Sequence, residues 1–335
     1  MKILQINNFH FIKGGADRVY LNTSKLLEEN GHSVLNFSSI DFANNPSGES
    51  GYFIEINNNR QSNLIGKLKG VKSYIYNIGA YRNLESLIKE HKPDIAHLHL
   101  YYGGLTSSIL KVLKKMQIPI VQSIHDYRLL CPANAFLDNK NNICEKCKNR
   151  FYLQCSLNRC LEGNIFYSSI LTIEAYARKY LINPLDYVDH FIFVSKFSMQ
   201  KHIEYDGRFQ DKSSLFYNFT FIPESWYVNN NRDYLLFFGR LSEEKGITTL
   251  LEAIKKTKLK LKIAGTGPLQ RDVENAAINS GNIEYMGHKS GQELKQLISG
   301  ASYIIVPSEW YENNPMTVIE SYALGRPVIG SDIGG

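Results

Sequence analysis

Two stretches of the chain, 2–124 and 234–330, alternate short apolar runs with longer amphipathic segments, and this rhythm restricts the fold more than any single motif. Residues 2–6 read as a buried strand ending in the polar loop 7–15. Over 16–30, Val19, Leu21, Leu26 and Leu27 fall at helical spacing, Gly31 supplies a stop, and 33–37 resumes strand character. Leu84, Leu87 and Ile88 mark another helix, cut off before Pro93; strands at 94–100 and 119–124 flank a helix at 106–115. A helix near 170–181 and a strand at 190–194 follow. The second half restarts with strands 234–238, 259–264, 283–285, 303–307 and 327–330, separated by helices 246–257, 269–279, 291–299 and 317–323. Strands separated by single helices run parallel, which predicts an α/β protein of two doubly wound parallel-sheet domains. A length of 335 residues suits two domains. The expected boundaries are a domain over 1–215, a linker over 216–233 and a domain over 234–335; the linker belongs to a polar, aromatic stretch, 205–233, that holds Asn229-Asn230-Asn231.

Residues 129–167 break the rhythm. They are rich in Asn, Lys and Cys and read as an insertion on the C-terminal edge of the first sheet. The longest uncharged run, 95–110, contains His97, His99 and a Gly pair, so no membrane span is expected. Asn7 and Asn8 come too early for a signal-peptide core, and a cytoplasmic location is the expectation. All five Cys lie between Cys131 and Cys160, which in such a compartment argues for a metal or reduced thiols over disulfides. Cys144, Cys147, Cys155 and Cys160 have spacing that suits a closed structural zinc site, with Cys131 a fifth candidate; thiols that merely pack are the other reading. His97 and His99 share one side of a strand, but without a third ligand nearby they read as core or cleft-lining side chains.

The net charge of +6 lies in the first half, where 22 Lys and Arg face 16 Asp and Glu through residue 190. Residues 60–92 hold seven cations against two anions, with Tyr74, Tyr76 and Tyr81 interleaved. A solvated surface is the commoner fate of such a run; docking to anionic lipid or nucleic acid is the functional alternative, and an anionic membrane surface is the one expected. No nucleic acid is expected as a partner.

Four features of the second half carry chemistry. Gly239-Arg240 follows a strand, and Lys245-Gly246 opens the next helix, so two cations and a helix N-terminus stand where a parallel sheet places ligands. Gly265-Thr266-Gly267-Pro268 is a tight turn after a strand, able to admit a nucleotide close to the backbone but equally an ordinary connection. Glu312 and Glu320 are separated by seven residues, with Asn313-Asn314-Pro315-Met316-Thr317 after the first. Pro315 suits the first helical turn, which frees the amides of Met316 and Thr317 for an anion. Ser331-Asp332-Ile333-Gly334-Gly335 follows the last strand.

In order along the chain, these segments closely resemble the retaining GT-B glycosyltransferases of family four. The first half agrees through Lys13-Gly14-Gly15-Ala16-Asp17-Arg18, Gly31-His32-Ser33-Val34, Lys92-Pro93-Asp94, His97-Leu98-His99 and Ser123-Ile124-His125-Asp126. A Cys-Pro step and Cys-rich loop after the motif His resemble a subgroup of that family. The resemblance implies a nucleotide-sugar donor held between two Rossmann-like domains. It gives Arg240 and Lys245 the departing diphosphate, Glu312 the hydroxyls of the donor sugar, and Glu320 the ribose. Asn313, Asn314, Pro315, Met316 and Thr317 would grip sugar and phosphate through their backbone. Gly14, Gly15 and Gly239 would approach the diphosphate, the backbone near Met286 and Gly287 would frame the base, and His125 would face the transferred sugar.

The implied chemistry needs no catalytic cofactor, because fixed cations and helix dipoles stabilise the leaving phosphate. Asp126 reads as a group that orients His125. The acceptor implied is a glycan or lipid-linked glycan of cell-surface polysaccharide synthesis, made by a protein peripheral at the inner face of the membrane. Two alternatives stand beside transfer: a nucleotide-sugar epimerase of GT-B fold, and a non-catalytic sugar or nucleic-acid binding module with a zinc loop. Members of the family continue past the terminal Gly pair, so a C-terminally shortened chain is also expected.

Overall fold

The computed structural model describes residues 1–56, 64–222 and 233–335, with the side chains of 64–69 and 150 outside the description. The Asn229–231 run and most of the expected linker lie outside the described residues, as does the start of the basic stretch 60–92. Two compact units are present, Met1–Tyr217 and Asn218–Gly335.

Unit 1 contains β1 (Lys2–Ile6), α1 (Gly15–Glu29), β2 (Ser33–Phe37), α2 (Leu64–Ile75), α3 (Ile78–His91), β3 (Ile95–Leu98), α4 (Ser108–Lys115) and β4 (Ile120–Ile124). It continues through α5 (Leu153–Leu157), α6 (Ile165–Leu181), α7 (Pro184–Tyr187), β5 (His190–Phe193), α8 (Lys196–Tyr205) and β6 (Ser213–Leu215). Its parallel sheet runs β2-β1-β3-β4-β5-β6. Leu4, Ile6, Leu98, Phe191 and Phe193 on the strands pack with Leu84 and Leu87 of α3 and Ile109 of α4. Burying these side chains contributes about 1.5–3 kcal/mol each, which is what holds α3 and α4 to this face of the sheet.

The stretch 205–233 is not linker from its start. Gly207–Lys212 forms a 3-10 turn that buries Phe209, and Ser213–Leu215 pairs with β5 as an edge strand.

Unit 2 contains β7 (Tyr234–Phe238), α9 (Ile247–Ile254), β8 (Lys260–Ala264), α10 (Gln270–Ile278), β9 (Ile283–Gly287), α11 (Gly291–Gly300), β10 (Tyr303–Val306), α12 (Met316–Ala323) and β11 (Val328–Gly330). Its parallel sheet runs β11-β10-β7-β8-β9. The first strand therefore sits between the second and the fourth, and the chain reverses direction across the sheet between β7 and β10. Such a reversal is where an open parallel sheet places ligands, and here the loops after β7 and β10 meet, the Glu309 amide donating to the Glu244 carbonyl at 2.9 Å.

Candidate active site

In unit 2 the candidate site draws its side chains from the loops after β7 and β10. Lys245, at the end of the turn after β7, donates from Nζ to Glu312 Oε1 at 2.6 Å. The Ser308 hydroxyl donates to the same oxygen at 2.5 Å. Glu312 is buried, and the ammonium of Lys245 also lies 4.9 Å from the Trp310 ring centre. The ion pair joins residues 67 apart in sequence because β7 and β10 are neighbours in the sheet. Arg240 is exposed on the rim of the same turn.

Close backbone packing fixes the turns at this edge of the sheet. Gly265 has φ of 144°, and a Cβ there would lie 1.9 Å from the Gly239 carbonyl oxygen. A Cβ on Gly267 would lie 2.3 Å from the Leu241 carbonyl oxygen, and one on Gly246 1.9 Å from that of Pro307. Gly287 takes φ of 69°, and its carbonyl accepts from the Gly265 amide at 2.9 Å.

Asn313, Asn314 and Pro315 lead into α12. Asn314 is left-handed with φ of 58°, and its carbonyl accepts from Asn218 Nδ2 at 2.8 Å. Pro315 caps α12 from an extended conformation, so the helix starts at Met316, one residue later than a proline in the first turn requires. The leading amides of a helix have no intrahelical acceptor, which leaves those of Met316 and Thr317 suited to an anion. Glu320 lies about one turn further along α12. The terminal glycines close beside Glu312: the Gly335 amide donates to the Glu312 carbonyl at 2.8 Å, and Gly334 takes φ of 87°.

In unit 1 the strand order places a second reversal between β1 and β3. Gly14 caps α1, and its amide donates to Asp17 Oδ2 at 2.9 Å while Asn7 Nδ2 donates to Asp17 Oδ1 at 2.8 Å. This fixes the Gly14-Gly15 turn at the sheet's carboxyl edge. His125 follows β4, and its Nε2 lies 2.9 Å from Nδ1 of His99, which follows β3. A third histidine therefore joins His97 and His99. Burial pushes His97 down to about 4, His125 down to about 3, and His99 well below its ordinary value, so all three rings are neutral at pH 7.

Asp126 does not orient His125. Its Oδ1 accepts from the Arg128 amide at 2.9 Å and its Oδ2 faces Asn134 Nδ2 at 3.5 Å, and His99 takes the orienting place. Sequence reasoning also missed Ser308 and Trp310, whose only signal was their place between β10 and Glu312.

All five cysteines are free thiols. Cys147 and Cys155 are buried in a small cluster with Tyr152, Leu171 and Ala175, and Cys160 packs against it. Burial together with the neighbouring Cys131, Cys160 and Cys144 pushes the Cys147 thiol up. Among the described residues no three His, Cys, Asp or Glu side chains are grouped as a ready metal cage. A zinc ion on Cys144, Cys147, Cys155 and Cys160 would have to draw the thiols closer together.

Two Rossmann-like parallel sheets, with Arg240, the Lys245–Glu312 pair and glycine-rich turns at the second one's reversal, are the architecture of the GT-B class. Residues 13–220 match the family model Glycosyltransferase Family 4, and residues 218–335 match Glycosyl transferases group 1. The chain belongs to Glycosyltransferase Family 4. An uncharacterized glycosyltransferase of Methanocaldococcus jannaschii is 24% identical over 338 residues, spanning 100% of this chain and 80% of the relative. The O-antigen chain mannosyltransferase C of Escherichia coli is 28% identical over 112 residues, 32% of this chain and 30% of that one. Among solved structures, Anabaena HepE in complex with UDP-glucose superposes with a TM-score of 0.59 at 15% identity, spanning 100% of this chain and 81% of HepE. That likeness concerns the fold. Among the described residues no helix is long and apolar enough to cross a membrane.

Proposed function

We propose that the protein transfers a sugar, with retention of anomeric configuration, from a nucleoside diphosphate sugar to a glycan or lipid-linked acceptor in cell-surface polysaccharide assembly. The observation that carries this reading is the meeting of Lys245 and Glu312 at the reversal of the unit 2 sheet, beside the start of α12. In the proposed reaction the bond from the anomeric carbon to the β-phosphate oxygen breaks and a bond to the acceptor oxygen forms on the same face. The acceptor proton passes to the leaving phosphate. Arg240 and Lys245 neutralise the charge that develops there, and the amides of Met316 and Thr317 add dipoles aimed at the same oxygens. No metal is required in this scheme.

Glu312 takes hydroxyls of the donor sugar, which requires Lys245 to divide its hydrogen bonds between the carboxylate and the diphosphate; an ammonium with three donors can do so. Glu320 takes the ribose, Gly14, Gly15 and Gly239 approach the diphosphate, and His125 faces the sugar. The O-antigen assignment of the Escherichia coli relative supports the polysaccharide part of the reading, and the UDP-glucose bound by HepE supports the donor class.

Nucleoside diphosphate release from a panel of donor sugars, with and without acceptor glycolipids, tests the reading. Arg240→Ala and Lys245→Ala should each slow acceptor-dependent release by roughly 10- to 1000-fold, as expected for loss of one charge-assisted contact of about 2–4 kcal/mol. A fully active double variant would overturn the donor-site assignment. Structural zinc on the cysteine cluster is part of the proposal: elemental analysis should find about one ion per chain. Metal-free folded protein with five titratable thiols would remove it.

A further inference from the structure

Three imidazoles and one amide form a continuous hydrogen-bonded chain at the carboxyl edge of the unit 1 sheet. Gln5 on β1 lies in register with His97 on β3. Gln5 Nε2 is 3.3 Å from His97 Nδ1, and Gln5 Oε1 is 2.9 Å from His99 Nε2. His97 Nε2 is 2.8 Å from the Ser123 hydroxyl, and His99 Nδ1 is 2.9 Å from His125 Nε2. The rings of His99 and His125 are within 10° of parallel, which suits an in-plane bond between their nitrogens.

The direction of every bond follows from the amide. An amide oxygen only accepts and an amide nitrogen only donates. Gln5 Oε1 therefore takes the hydrogen of His99 Nε2, which leaves His99 Nδ1 with a lone pair. That lone pair can meet His125 Nε2 only if His125 carries its hydrogen there. In the other direction, Gln5 Nε2 donates to His97 Nδ1, and His97 Nε2 donates to Ser123. Every bond along the chain from Ser123 to His125 Nε2 is made with neutral rings, in keeping with the burial that holds all three histidines uncharged.

We infer that Gln5 and His99 are positioning residues that lock His125 in its Nε2–H form, so that Nδ1 is presented as a bare hydrogen-bond acceptor. Among the described residues Nδ1 of His125 has no hydrogen-bond partner. Where His125 faces the transferred sugar, which rests on the function proposed above, such a nitrogen accepts from a hydroxyl and repels a carboxylate. The site is then matched to neutral donor sugars with a hydroxyl at that position over uronic acids.

Long-range proton–nitrogen NMR of the full chain, with ¹⁵N-labelled histidine at neutral pH, tests the inference without any turnover. Loss of one spin system in His125→Gln assigns the signal. The expected pattern for His125 is a protonated Nε2 and an unprotonated Nδ1. Gln5→Glu, an acceptor only, should keep that pattern, whereas Gln5→Met should let His125 populate both tautomers. A protonated Nδ1 in the unsubstituted protein, as a reversed amide would give, overturns the inference, and so does an unchanged single tautomer in folded Gln5→Met. The spectrum of the unsubstituted protein decides the bond direction even if a variant does not fold. Absence of sugar transfer would overturn the functional reading and leave the tautomer result intact.

Discussion

At the scale of single residues, Glu312 shows how the fold forces a pairing that composition does not announce. Its carboxylate is only 9% exposed, and Lys245 and Ser308 both donate to one of its oxygens. Removing the cation in Lys245→Met leaves a buried carboxylate with fewer donors, and should lower the stability of unit 2 by about 1–3 kcal/mol. Glu312→Gln in that background should recover part of the loss, because a neutral amide costs less to bury. Urea unfolding of the four proteins in a double-mutant cycle measures the coupling, and strictly additive losses would mean the pair contributes nothing. Each residue was legible in the sequence as a candidate, through its place after a strand. Their contact was not, because it depends on β10 lying next to β7, and strand order is decided by packing between distant segments. The same holds for His99 and His125, which read separately as a lining residue and a motif residue.

At the scale of elements, the turns of unit 2 are set by backbone contact. Gly265→Ala would put a methyl group 1.9 Å from the Gly239 carbonyl oxygen at a φ that side chains avoid, and should cost about 3 kcal/mol or more. Gly281→Ala, with nothing within 4 Å, should leave the melting temperature within about 2 °C of the parent. Equal melting temperatures for the two variants would contradict this account of the Gly265 turn. The glycine turns were readable because glycine there is a chemical requirement.

Among the elements of unit 1 that periodicity did not reveal, α8 and β6 show why. The fully buried residues of α8 are Ser198 and His202, so its inward face looks polar, and β6 is three residues, Ser-Ser-Leu, paired on one side only. Helix α6 adds a buried ionic cluster that periodicity hides as well. Glu174 is 2.9 Å from Arg178 and 3.5 Å from Arg128, and Arg128 donates to the Tyr74 hydroxyl at 2.6 Å. Glu174→Gln strands two buried guanidinium groups and should destabilise unit 1 by about 3–5 kcal/mol in chemical denaturation.

At the scale of the whole molecule, the two units should respond differently to acid. Burial holds the imidazoles of His10, His97, His99, His125 and His202 below their ordinary value, to about 4 for His97 and His202 and about 3 for His125. All five belong to unit 1, whereas the one histidine of unit 2, His288, is exposed. The unfolded chain takes up protons at these positions near pH 6.5 and the folded chain does not. Stability from them is therefore complete above about pH 6.5 and is lost as pH falls toward the folded values, by up to about 1.4 kcal/mol per pH unit for each ring. Asp17 and Asp126 oppose the trend, since burial raises both and acid then favours the folded form, but they are two groups against five imidazoles. Between pH 6.5 and 5 the histidines should dominate. Hydrogen exchange read peptide by peptide at pH 7.5 and 5 should show protection falling across β1, β3, β4 and α8 while β7, β8 and β10 keep theirs. His202 donates from Nδ1 to the Ser198 carbonyl at 2.8 Å, and His202→Gln can keep a donor there without the titrating ring. That variant should flatten the pH dependence of unit 1 by about one proton's slope. Equal loss of protection in both units, or an unchanged slope in His202→Gln, would refute the assignment of acid sensitivity to the buried imidazoles.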